Sequence, residues 1–110
     1  MLYTTSLKLN KEFRRLYYKG KFKAGKHLVT YMIKRRDNQC RIGITASKKI
    51  GNAVQRNRAR RIILAAYREL EQQVDLRGHD FVFVARKGCA DQTSTAIGVQ
   101  MKKQLDFLLR

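Results

Sequence analysis

Apolar residues recur along this chain in blocks whose spacing switches between helical and strand-like periods. Phe13, Leu16 and Tyr17, three and four positions apart, predict a first helix with Asn10 as N-cap and Gly20 as C′ residue. Leu28–Lys34 is rich in β-formers, and in Arg41–Ala46 the residues Ile42, Ile44 and Ala46 share one face, so both read as strands. Asp37-Asn38 supplies turn chemistry between them and predicts an antiparallel pair. A short strand before His27 carries a weaker signal. Ser47 to Asn52 reads as a loop into a second helix, which Asn52 and Gln55 can open as a capping box and which should reach about Gln73. On a helical wheel Ala59, Ile62, Ile63, Ala66 and Leu70 gather on one side. Asn57, Arg61 and Arg68 lie opposite, with Arg58 and Arg60 at the flanks. Phe81–Ala85 is continuously apolar, hence a strand buried on both faces. The helix before it makes it parallel to Arg41–Ala46. A last helix, about Thr95–Leu109, carries Ile97, Met101, Leu105, Leu108 and Leu109. The order αβββαβα, with room for a short first strand, describes an α/β sandwich: one domain over residues 1–110, helices packed on a small mixed sheet.

Charge changes the picture. The chain holds 25 Lys and Arg against 8 Asp and Glu, a formal net charge of +17. Residues 69–110 carry six of each sign, so all of the excess lies in residues 1–68, where the only acids are Glu12 and Asp37. A one-sided field of this size repels itself and serves a polyanionic partner, with nucleic acid ahead of an anionic membrane surface. No apolar run approaches the roughly 20 residues of a membrane span, and Met1–Leu9 lacks a secretory pattern. Cys40 and Cys89 match no metal or disulfide spacing, and His27 and His79 are isolated. Reduced thiols in a cytoplasmic protein without its own metal site are the expectation.

A catalytic constellation is not legible. The acids are scattered, and Glu69 and Glu71 point roughly 200° apart on a helix. No Ser or Cys stands in a nucleophile motif with a His. The segment Ser47 to Arg61 is different, with Arg56, Arg58, Arg60 and Arg61 in the first turns of a helix. The helix dipole disfavours cations there by about 0.3–1 kcal/mol each when exposed. A bound phosphate reverses that sign, because N-terminal N–H groups, guanidinium forks and Lys48/Lys49 would all meet one anion. Charge alone leaves a ribosomal or RNA-assembly protein, a nucleic-acid chaperone and a stand-alone nuclease open.

The run Ser-Lys-Lys-x-Gly-Asn-Ala-Val-x-Arg-Asn-Arg-x-x-Arg at Ser47–Arg61 closely resembles the signature of the bacterial ribonuclease P protein subunit. Phe13, Tyr17 and Gly20 resemble that family's aromatic first helix. Arg41-Ile42-Gly43-Ile44 is similar to the strand entering the signature, and Phe81–Lys87 to its buried strand with a basic exit. One departure is Ser6 before Leu7, where the family usually has a basic residue. The resemblance implies a protein without catalytic side chains that assists a catalytic RNA in removing the 5′ leader of precursor tRNA. It implies magnesium held mainly by that RNA and none by the protein alone, and a left-handed crossover between Arg41–Ala46 and Phe81–Ala85. It assigns Lys48, Lys49, Arg56, Asn57, Arg58, Arg60 and Arg61, extended by Arg68, Arg86 and Lys87, to the RNA subunit. Phe13, Tyr17 and Tyr31 it assigns to a cleft for the leader, with Phe13 half in the core.

Overall fold

The computed structural model describes residues 1–110. A five-stranded sheet carries two helices on one face and one on the other. In chain order these are β1 (Thr4–Ser6), α1 (Asn10–Lys19), β2 (Lys21–Ala24), β3 (Leu28–Lys34), β4 (Cys40–Thr45), α2 (Ala53–Gln73), β5 (His79–Ala85) and α3 (Ser94–Leu108). The weakly signalled strand before His27 is present as β2, whereas β1, ahead of α1, has no counterpart among the expected elements; the sheet order is β1-β4-β5-β3-β2.

That order corrects one expectation. β3 and β4 run in opposite directions, but they do not pair; β5 lies between them, antiparallel to β3 and parallel to β4. Asp37-Asn38 turns the chain without making a hairpin. The physical reason is β5 itself, whose Phe81, Val82 and Phe83 are all fully buried. A strand apolar on both faces has to be central, and β3 finds its hairpin partner in β2 instead.

Two end signals also differ. Leu9 caps α1 in place of Asn10, its N–H donating to the Glu12 carboxylate at 3.1 Å. Gly20 is extended (φ −74°, ψ 152°) where a left-handed C′ residue was expected, so α1 runs straight into β2. At α2 the expectation holds, with Gln55 N–H donating to Asn52 Oδ1 at 2.9 Å and Asn52 N–H to Gln55 Oε1 at 3.0 Å.

The larger core lies between the sheet and the α2/α3 layer. Leu28, Ile42, Phe81 and Phe83 meet Ala59, Ile63, Tyr67 and Leu70 of α2 and Ile97, Met101 and Leu105 of α3. Its polar atoms are all paired. Buried Thr30 donates to Gln104 Oε1 at 2.6 Å, and Gln104 Nε2 donates to the Leu28 carbonyl at 2.7 Å. Buried Glu71 accepts hydrogen bonds from Thr4 Oγ1 and from the N–H groups of Leu2, Tyr3 and Thr4, so the far end of α2 fastens β1 to the sheet. Burial raises the affinity of this carboxyl for a proton, but the Thr4 hydroxyl and the three N–H donors outweigh it and hold Glu71 below the usual carboxylate range.

On the opposite face the buried apolar cluster is limited to Leu7, Leu16 and Val82. α1 lies close here because β4 has Gly43, over which the Phe13 ring sits; a Cβ on Gly43 would come within 2.3 Å of that ring.

Candidate nucleic-acid interface

The signature segment is built by its uncharged letters. After buried Ala46, Ser47 caps a short 3-10 turn at Lys48–Ile50 by accepting from the Lys49 N–H. Gly51 then adopts φ 140°, a conformation that L side chains rarely adopt. Asn52 opens α2, whose first turn has no acid. Ser47, Gly51 and Asn52 therefore shape the entry, and the cations use it.

Lys48, Lys49, Arg58, Arg61 and Arg68 are exposed. Arg56 donates to the Gly51 carbonyl at 3.4 Å. Arg60 donates to Asn57 Oδ1 at 3.0 Å and to the Ala46 carbonyl at 3.4 Å, which turns it from the ridge towards the end of β4. Arg86 and Lys87 follow β5, and Arg86 donates to the Gly25 carbonyl at 2.8 Å, which places it by the β2–β3 turn and off the ridge. None of these nine cations joins an ion pair. Five of the eight acids pair elsewhere: Asp80 with Arg35 and Arg41, Glu12 with Arg41, Asp37 with Arg35, Asp75 with Arg77 and Asp106 with Lys102. The Arg35 guanidinium holds Asp37 at about 2. No three His, Cys, Asp or Glu side chains stand together as a metal-ligating group. Glu69 faces solvent and Glu71 the interior, so that pair is divided.

Beside the ridge runs an aromatic trough on the sheet face that α1 only half covers. Tyr17 is 38% exposed, and its hydroxyl lies 2.9 Å from Thr45 Oγ1. Its ring meets Tyr31 edge-on, with centroids 5.1 Å apart and planes at 80°. Phe13 is half-buried against Gly43, more floor than wall. A hollow of about 530 Å³ is lined by Asn10, Phe13, Arg14, Tyr17, Ile44, Thr45 and Arg60. The three expected aromatics are thus brought together on one face, and Arg60 joins the ridge to the trough. Sequence reasoning missed Phe22, whose ring lies 5.6 Å from Tyr31 at a tilt of 31°. Its one sequence signal is an aromatic between two lysines, Lys21-Phe22-Lys23.

A sequence model of the family described as Ribonuclease P matches residues 1–108. The chain is 41% identical over 99 residues to the ribonuclease P protein component of Clostridioides difficile strain 630, covering 90% of this chain and 87% of that protein. It is 44% identical over 88 residues to that of Bacillus cereus strain G9842, covering 79% and 76%. Among solved structures, the Staphylococcus aureus RNase P protein superposes with a TM-score of 0.79 at 30% identity over 93% of each chain. The Thermotoga maritima RNase P protein, at 22% identity and a TM-score of 0.77 over 94% of each chain, shares the fold.

Proposed function

This chain belongs to the ribonuclease P protein family, the protein component of an endoribonuclease holoenzyme of tRNA processing, and on that premise we propose that it binds two RNA elements at once. The ridge of Lys48, Lys49, Arg56, Asn57, Arg58, Arg61 and Arg68, with Arg86 and Lys87 beyond it, takes phosphates of the RNA subunit. The trough of Phe13, Tyr17 and Tyr31 takes the single-stranded 5′ leader of precursor tRNA. Arg60 serves both. The observation that carries this reading is a row of part-exposed rings meeting Arg60, an arginine of the signature helix that no carboxylate neutralises. Stacking accepts every base, which suits leaders of differing sequence. Phosphate contacts supply affinity through counterion release. Magnesium held by the RNA subunit supplies the hydrolytic chemistry that leaves a 5′-phosphate on the tRNA.

The protein's share is differential binding. Contacts to the leader exist with precursor and disappear with mature tRNA, so they favour substrate capture without slowing product release. The test uses holoenzyme reconstituted from purified RNA subunit and protein. Arg58→Ala and Arg61→Ala should weaken RNA-subunit binding and leave the fold intact. Each lost contact should shallow the log K against log salt slope by about 0.7–0.9. RNA-free protein should leave precursor intact at every magnesium concentration. An unchanged salt slope, or 5′ cleavage by protein rigorously free of RNA, would overturn the reading.

A further inference from the structure

We propose that Phe22 extends the leader trough to the edge of the sheet and stacks one further base, farther from the cleavage site than those at Tyr17 and Tyr31. The proposal rests on the leader-binding reading above. β2 is the outermost strand, and all four of its residues are exposed. Exposed edges are usually guarded by charged residues, and Lys21 and Lys23 flank Phe22 in that way. A phenylalanine 59% exposed on this strand belongs to neither apolar cluster of the protein.

Register decides which way the ring faces. Phe22 pairs with Tyr31, and Tyr31 with Val82, which lies on the α1 side of the sheet with Leu7 and Leu16. Phe22 therefore shares the trough face. Lys23 turns to the other side, its Nζ 4.4 Å from the centroid of the Phe107 ring on α3. The next row across the trough, Ala24, Val29, Val84 and Thr45, has no large side chain to close over the rings. Tyr17, Tyr31 and Phe22 form a continuous path from β4 to β2, at 5.1 and 5.6 Å between successive centroids. Arg60 and the ridge for the RNA subunit mark one end of it. A strand laid along it from the RNA subunit leaves the protein over Phe22.

Leader length separates this role from any other. Holoenzymes carrying wild-type protein, Phe22→Ala, Phe22→Tyr or Tyr31→Ala are compared on mature tRNA and on precursors whose leaders lengthen one nucleotide at a time. Phe22→Ala should match wild type on mature tRNA and on the shortest leaders. Once the leader is long enough to cross β2, it should bind about tenfold more weakly (1.4 kcal/mol). Phe22→Tyr should restore the affinity, since stacking needs the ring. If Tyr31→Ala loses leader affinity and Phe22→Ala loses none at any length, the trough ends at Tyr31 and the proposal falls while the leader reading stands. If Phe22→Ala weakens mature and precursor tRNA equally and lowers the melting temperature, Phe22 is structural and the proposal falls. If neither alanine variant distinguishes precursor from mature tRNA, the leader reading fails with it.

Discussion

The two faces of the sheet are made by the same strands and end in different states. On one, α2 and α3, of 21 and 15 residues, cover a cluster of 20 buried residues. On the other, α1 has 10 residues, about 15 Å of helix, and buries a cluster of three. Both faces carry large apolar side chains, so hydropathy does not separate them. Helix length does. Phe83 and Tyr31 sit on adjacent, directly paired strands one row apart, yet Phe83 is sealed under Tyr67 while Tyr31 keeps an open flank beside Tyr17. The closed face supplies stability. The half-open one keeps apolar surface that a nucleic-acid strand can still cover.

The largest expected effect tests the closed face. Phe83→Ala should cost about 3–5 kcal/mol of unfolding free energy, with every RNA interaction weakened in parallel as folded protein is lost. A loss under 1 kcal/mol in denaturant titration would mean this core is not the source of stability. Next is the margin of that face, where Glu71 fastens β1. Glu71→Gln should cost about 1–3 kcal/mol, because the buried Thr4 hydroxyl and N–H and the part-buried N–H groups of Leu2 and Tyr3 lose one carboxylate acceptor. The carboxyl titrates lower folded than unfolded, so its stabilisation is complete above the unfolded value near about 4.3 and fades as pH falls through the lower folded value. Urea midpoints from pH 6 to pH 2 should fall less steeply for Glu71→Gln than for wild type. Parallel curves would remove Glu71 from the acid transition.

The smallest effects on stability should come from the open face. Tyr31→Ala should cost about 1–3 kcal/mol of precursor affinity and leave mature tRNA binding unchanged, which binding assays with the holoenzyme would measure. If it lowers the melting temperature as far as Phe83→Ala does, the two faces are not different in kind. Milder still is Tyr17→Phe. It keeps the ring and gives up one exposed hydrogen bond to Thr45, worth at most about 0.5–1.5 kcal/mol net.

Where the cause was local the sequence by itself determined most of the outcome, the two ends of α1 excepted, where Leu9 takes the cap and Gly20 stays extended because the chain runs straight on into β2. The Asn52–Gln55 cap, the Ala59–Leu70 stripe, the doubly apolar β5 and its parallel partnership with β4 are all legible from neighbouring residues, because capping and periodicity act over a few positions. So was the density of cations at the start of α2. Tertiary structure decided what depends on distant competition. β5 displaces β4 from β3 because a strand apolar on both faces takes the middle of the sheet. Glu71 turns inward because four donors from the N-terminal segment meet it there, 67 to 69 positions away in the chain. Arg60 leans from the ridge towards the trough, and so borders both, because the carbonyl of Ala46 lies within its reach. Phe22 becomes part of an aromatic row only through pairing with Tyr31. Periodicity along one segment marks which side is apolar; only the packed neighbours decide whether that side is covered.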